Sequence, residues 1–110
     1  MNYSNKFIFS LAFIFLFGIS FSQESYKKEK AEIKKYIQSA VSEFNNTNYD
    51  KALEFSKFAL INSFAINDNL YIAQSYNTIG VIYDECSETE KAIQFYHKAL
   101  RYASVVKNDT

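Results

Sequence analysis

The side chains able to do chemistry are few beyond residue 22 of this 110-residue chain. They comprise one histidine, one cysteine and the carboxylates around it, namely His97, Cys86, Asp84, Glu85, Glu88 and Glu90. A metal ion would need several nitrogen, sulfur or carboxylate ligands converging on one point, and no such spacing repeats around His97. The carboxylates are explained as helix-end residues, each contributing about 0.3–1 kcal/mol near a helix N-terminus. The sequence therefore predicts no metal site, no cofactor and no catalytic residue.

Two alternatives stay open for these residues. A lone cysteine most often packs as a small apolar residue, and a reactive or cross-linking role for Cys86 is the alternative. Cation binding by the neighbouring carboxylates is the second. Because the chain also has no glycine-rich loop and no Ser-His-Asp spacing, an enzyme ranks behind a non-catalytic protein.

The most regular spacing in the chain lies between Ala73 and Leu100, and it suits packing. Tyr76, Ile79 and Tyr83 recur at three and four residues, which places them on one face of a helix, and Gly80 removes a side chain where a second helix crosses. The helix that follows supplies the small and aromatic residues Ala92, Phe95, Tyr96 and Ala99. The pattern predicts two closely packed helices.

The same pattern occurs forty residues earlier. Five residues, Lys51, Ala52, Phe55, Ala59 and Leu60, are identical to Lys91, Ala92, Phe95, Ala99 and Leu100, Tyr36 matches Tyr76, and Leu53 corresponds to Ile93. Thr47 and Asp50 correspond to Ser87 and Glu90, and each of these two pairs predicts a capping box at a helix start. The sequence thus predicts two copies of one helix pair, at about residues 33–68 and 73–107.

The run from Tyr76 to Tyr83, followed by Ala92 and Tyr96, resembles the tetratricopeptide repeat, whose signature is W-x2-L-G-x2-Y, then A-x3-F and P. Tyr76 stands where that signature has Trp, and the chain contains no proline. The forty-residue spacing is similar to the longer repeats of kinesin light chains, of exported bacterial proteins and of bacterial sensor regions. The resemblance implies an all-α fold with two stacked antiparallel helix pairs, the beginning of an α-solenoid.

Helical periodicity and turn residues divide the chain after its leader into four helices. The predicted helices run from Ser25 to Asn45, from Tyr49 to Ile66, from Asn69 to near Cys86 and from Glu88 to about Val106. Short polar residues form the turns between them. Asp68 is the predicted N-cap of the third helix.

Residues 1–22 differ in composition and predict a signal peptide. Lys6 precedes an apolar run from Phe7 to Ile19, and small residues Ser20 and Ser22 occupy the positions that a signal peptidase reads, with cleavage before Gln23. The run is shorter than the about 20 residues of a membrane span. We expect an exported, periplasmic or secreted protein without membrane insertion after cleavage, and an uncleaved anchor is the alternative.

The charge and the resemblance together indicate the class of partner. Twelve basic and twelve acidic residues balance, so nucleic acid is not an expected partner. The resemblance implies a groove lined by the first helix of each pair, which would bind a peptide or a protein. Carried over onto this sequence, the partner-binding positions are Gln74, Asn77, Thr78, Val81 and Asp84. They lack the basic residues of the families that clamp a terminal carboxylate, so we do not expect that clamp.

The alternative function is a sensory or structural segment of a longer membrane sensor kinase or transcriptional regulator. Either function leaves the last helix with apolar residues that have no following helix to cover them, namely Ile93, Leu100 and Val106. Repeat arrays need about three units and a polar capping element. We therefore expect this end to be covered by further repeats or a partner helix, or to mediate self-association.

Overall fold

The computed structural model describes residues 3–108, with side chains from Ser22 onward. Its elements are α1 (Tyr3–Asn45), α2 (Tyr49–Ala65), α3 (Asn69–Glu85) and α4 (Thr89–Asn108), and the described residues include no strand. The all-α prediction is confirmed. The predicted leader, residues 1–22, falls almost entirely outside the residues with described side chains. From Ser22 onward, no helix has both the length and the apolar character needed to cross a membrane.

The three turns between the helices are built in the same way. Thr47, Asn67 and Ser87, spaced by twenty residues, have positive φ values of 62°, 54° and 63°. In each turn the N–H of this residue donates to the carbonyl three positions earlier, and the next N–H donates to the carbonyl five positions earlier. These are the two hydrogen bonds of a Schellman motif, which satisfies the last carbonyls of a helix. The predicted turns are therefore helix C-caps.

This arrangement corrects the predicted capping boxes. Thr47 lies one residue before the N-cap of α2, which is Asn48, and no side-chain capping bond forms there. The Thr47 hydroxyl donates instead to the carbonyl of Asn46, 2.6 Å away. Of the two N-caps described, at α2 and α3, the one at α3 has a side-chain bond, because the Asp68 carboxylate accepts from the N–H of Tyr71 at 3.1 Å.

Each helix packs against the next, and α1 also contacts α3. The end of α3 meets the start of α4, where Lys91 lies over the ring of Tyr83, whereas Tyr76 nearer the start of α3 meets Tyr102 near the end of α4. Consecutive helices therefore run antiparallel. Tyr26, near the middle of α1, contacts Asp68 at the start of α3. Because α1 and α3 both run antiparallel to α2, these two helices run parallel.

The core consists of alanines, isoleucines and serines, with the aromatic rings around it. Ala52, Ala59, Ala92 and Ala99 are buried at the crossings, and so are Ile33, Ala40, Ile72, Ala73, Ile79 and Ile82. Ser56 and Ser63 are also buried on α2, and each donates its hydroxyl proton to the carbonyl four residues earlier. Small side chains let the helices approach closely, and the hydroxyl groups of Ser56 and Ser63 stay paired because the helix supplies the acceptors. The hydroxyl of Ser75, also buried, has no such partner.

Gly80 lies at the closest approach of α3 and α4. A β-carbon there would be 2.7 and 2.8 Å from two ring atoms of Tyr96 and 3.4 Å from the carbonyl oxygen of Ala92. Carbon atoms in good contact are about 3.5–4.0 Å apart. The absence of a side chain at this position is therefore what allows the Tyr96 ring to lie against α3.

Candidate functional site

The residues that could take part in chemistry lie at the surface and do not form one cluster. Cys86 is a free, exposed thiol at the C-terminal end of α3, and His97 is exposed on α4. The carboxylates between them are also exposed, and Glu88 forms an ion pair with Lys91 at 2.9 Å. Within residues 22–108 no three histidine, cysteine or carboxylate side chains come together in a way that could hold a metal ion.

The parallel helices α1 and α3 present side chains at equivalent positions on one surface, which we call the α1/α3 surface. Its exposed members are Lys34, Gln38 and Val41 on α1 and Gln74, Val81 and Asp84 on α3, with Thr78 half-buried. Val41 and Val81 lie forty residues apart and are 46% and 37% exposed. Two valines thus stand at equivalent places on neighbouring helices, with the Gln38 amide one turn before Val41 and the Gln74 amide two turns before Val81.

The five predicted partner-binding residues divide between two places. Gln74, Val81 and Asp84 are exposed on α3, whereas the hydroxyl of Thr78 donates to the Gln74 carbonyl at 2.9 Å and is occupied within the helix. Asn77 and Gln74 also line a second depression, which lies between α3 and α4. Prediction from the sequence missed Lys34, Gln38 and Val41 on α1, although the forty-residue offset from Gln74, Thr78 and Val81 would have found them.

The charge along the α1/α3 surface differs between its ends. Lys34 lies in the part of α1 that corresponds to Gln74, while Asp84 lies in the last turn of α3. An extended ligand along these helices would meet a cation towards the start of α3 and a carboxylate towards its end. Such a surface favours one direction of binding because complementary charges orient a ligand.

The residues predicted to pack the repeats form two groups. Ala52, Ala59, Ile79, Gly80, Ala92 and Ala99 are buried, and Phe55, Tyr76, Tyr83, Phe95 and Tyr96 are half-buried. The rings form chains of contacts, in which Tyr83 stacks on Phe95 with an interplanar angle of 7° and Tyr36 lies 6.4 Å from Phe55. Burial raises the pKa of the Tyr76 hydroxyl above its usual value, and Tyr102 raises it further. Burial raises the pKa of Tyr96 in the same way, with a second contribution from Asp84.

A polar cluster joins the middle of α1 to the start of α3. The Asp68 carboxylate, besides capping α3, accepts the Tyr26 hydroxyl at 3.1 Å and lies 3.7 Å from the Lys30 ammonium. Lys30 also lies over the rings of Tyr26 and Tyr71. The hydrogen bond to Asp68 raises the pKa of Tyr26, because the carboxylate needs the protonated phenol. This cluster holds the two helices side by side at the beginning of the α1/α3 surface.

Comparison with known proteins adds little beyond this geometry. No family model matches the chain, and no solved structure matches it. The chain is 31% identical over 90 residues to the uncharacterized protein ycf37 of Guillardia theta, covering 78% of this chain and 50% of that protein. The chain therefore spans about half the length of that curated relative. The name of the relative states no activity, ligand or partner.

Proposed function

We propose that the chain is an exported helical repeat protein of the tetratricopeptide type, whose function is to bind a peptide or a partner protein without catalysis. Three features support the family: the forty-residue repeat of helix and turn, the close crossing at Gly80 and the small residues at equivalent positions of α2 and α4. The apolar run from Phe7 to Ile19 supports export.

The observation that carries the binding function is the exposed pair Val41 and Val81. Two branched apolar side chains remain 46% and 37% exposed at equivalent places on parallel helices, although neither is needed to close the core. Gln38 and Gln74 flank them with amide groups that can donate and accept hydrogen bonds. Apolar positions beside fixed polar groups are typical of peptide-binding surfaces, because the former contribute affinity and the latter orient the ligand.

The ligand expected from this surface is an extended peptide with an aliphatic side chain near its centre. That side chain would lie against Val41 and Val81. An acidic residue towards Lys34 and a basic residue towards Asp84 would set its direction.

Selection of random twelve-residue peptides on the immobilised chain tests this proposal. Peptides recovered this way should bind in fluorescence anisotropy and should lose at least about tenfold in affinity to Val41→Glu and to Val81→Glu, because either change buries an unpaired charge at the contact. Val105→Glu on α4 is the matched control, since Val105 is 40% exposed and lies away from the surface. Equal binding to all four proteins would show that the α1/α3 surface is not the site.

A further inference from the structure

The cleft between α1 and α2, which we call the first cleft, is filled by a helix of the chain itself. Its floor consists of Ile33, Ser56, Ala59 and Ser63, none of which is more than 1% exposed. The helix in this cleft is α3, which contacts both α1 and α2. It presents a stripe of branched or small residues, Ile72, Ser75, Ile79 and Ile82, all of them buried.

The equivalent cleft between α3 and α4, the second cleft, is open in the described part of the chain. It has a volume of about 490 Å³ and is lined by Leu70, Ala73, Gln74, Asn77, Tyr96, Ala99, Leu100 and Ala103. Leu100 is 63% exposed and Ile93 is 48% exposed, whereas their counterparts Leu60 and Leu53 are half-buried. The two clefts correspond position by position, and the difference in exposure follows from the helix that covers only the first.

The opposite end of the helix stack has different chemistry. Forty residues before the buried stripe of α3, α1 carries Glu32, Lys35, Ser39 and Ser42, of which all but the half-buried Ser39 are exposed. A helix with this stripe cannot enter an apolar cleft without burying two charged groups, which is costly. The stack therefore has one polar end and one open apolar end.

We propose that the second cleft is a docking site for a separate amphipathic helix, one that carries branched or small apolar residues with the spacing i, i+3, i+7 and i+10. The helix lies parallel to α3, as α3 lies parallel to α1. The second cleft adjoins the α1/α3 surface at Gln74, but its occupant is a helix, whereas the ligand of that surface is extended.

Two substitutions between the clefts define the occupant further. Where the first cleft has Lys30, which pairs with the acidic cap of α3, the second cleft has Leu70. The docked helix therefore needs an apolar residue in its first turn and no acidic cap. Where the first cleft has Ile37, the second has Asn77, and the docked helix would bury the amide of Asn77. The helix must therefore offer a hydrogen-bonding side chain opposite Asn77, because an unpaired buried amide would weaken binding.

A folded second copy of the chain does not meet these requirements. Its α1 carries a polar stripe, its α3 stripe is already buried, and Leu100 on its α4 belongs to the wall of its own second cleft. The lining of the second cleft includes no charged side chain that could orient a two-fold contact. These features favour a helix from outside the four described here.

The chain itself provides a suitable probe. A synthetic peptide of residues 66–86, with blocked ends, Asp68→Asn and Cys86→Ser, carries the stripe that already fits the first cleft and lacks the acidic cap. Labelled peptide titrated with the full chain should show saturable binding with a Kd of about 100 µM, since a short helix must order as it binds. Leu100→Glu and Ala103→Glu should each weaken binding at least about tenfold by placing a charge in the contact.

Matched controls make the outcome specific. Ile61→Glu should bind as the unmodified chain does, because Ile61 is 63% exposed, the same fraction as Leu100, and lies outside the cleft. A peptide with Ile72→Asp and Ile79→Asp should not bind. Three results would overturn the proposal. They are no saturation up to about 1 mM peptide, binding that Leu100→Glu leaves unchanged, and sedimentation of the chain as a dimer that Leu100→Glu dissociates, which would assign the cleft to a second copy.

Discussion

Replacement of Gly80 by alanine tests the close crossing of α3 and α4. The added β-carbon would lie 2.7 and 2.8 Å from the Cε1 and Cδ1 atoms of Tyr96, so the ring would have to move by about 0.7–1 Å to reach an ordinary contact distance. Tyr96 is half-buried, and its ring lies between the two helices. The crossing therefore resists this small change more than an exposed helix position would.

Two effects of opposite sign determine the magnitude. Alanine is favoured over glycine inside a helix by about 1 kcal/mol. Overpacking at a tight contact costs about 1–3 kcal/mol. We expect Gly80→Ala to lower the free energy of unfolding by about 1 kcal/mol, within a range of about 0–2 kcal/mol. Gly80→Leu should lower it further, because the larger side chain cannot avoid Tyr96.

The assay is urea unfolding followed by circular dichroism, with a double-mutant cycle. In a Tyr96→Ala background the ring is gone, so Gly80→Ala should raise the free energy of unfolding by about 1 kcal/mol through helix propensity alone. The sign should therefore reverse between the two backgrounds. Asn77→Ala is a control at an exposed position of α3 and should be stabilising in both. If Gly80→Ala stabilises both backgrounds equally, the crossing does not depend on the missing side chain and the reasoning is wrong.

Four further outcomes follow from the turns, the polar cluster and the leader. Thr47→Gly should raise the free energy of unfolding, measured in urea, by up to about 1 kcal/mol. The change removes the cost of about 1–2 kcal/mol that a positive φ imposes on a β-branched residue, and the greater backbone entropy of glycine in the unfolded chain offsets about 0.5–1 kcal/mol of this gain. Asp68→Ala should lower it by about 1–2 kcal/mol, because a helix cap, a hydrogen bond and an ion pair are lost together. Thermal stability should fall as pH rises through about 10 and beyond, because the folded chain raises the pKa of Tyr26 and Tyr76 and so holds their protons longer than the unfolded chain does. Mass spectrometry of exported protein should find Gln23 as the first residue.

Controls for these outcomes come from equivalent positions. The gain from glycine should decrease in the order Thr47, Ser87, Asn67, because asparagine tolerates positive φ best, and an inverted order would contradict the assignment of strain. Asn48→Ala should cost less than Asp68→Ala, because the Asn48 side chain forms no capping bond and donates only to the exposed Glu43 carboxylate, at 2.8 Å. The alkaline loss should shrink in Tyr26→Phe, and a loss of the same size would assign it elsewhere. An intact Met1 on soluble exported protein would rule out cleavage of the leader.

The sequence by itself determined the four helices and where most of them end, although α1 begins at Tyr3 and not at the predicted Ser25. Polar turn residues interrupt the apolar periodicity every twenty residues, and these signals act over four or five residues, so they do not depend on the rest of the fold. The predicted α2, Tyr49 to Ile66, differs from the observed Tyr49–Ala65 by one residue, and Asp68 is the predicted cap. Gly80 was also interpretable, because a glycine within a helical run indicates close packing.

Only the tertiary structure decided how the turns close and which surfaces remain open. Thr47 and Ser87 have the composition of capping boxes, but the path of the chain places them at helix C-caps with positive φ. Ser56 and Ser63 of α2 are polar residues that a sequence pattern would assign to the surface, and they are buried because α3 lies in the first cleft. Exposure of Val41, Val81 and Leu100 likewise depends on which helices lie beside them. Periodicity identifies an apolar face, whereas the neighbour that covers it is set by contacts between residues distant in sequence.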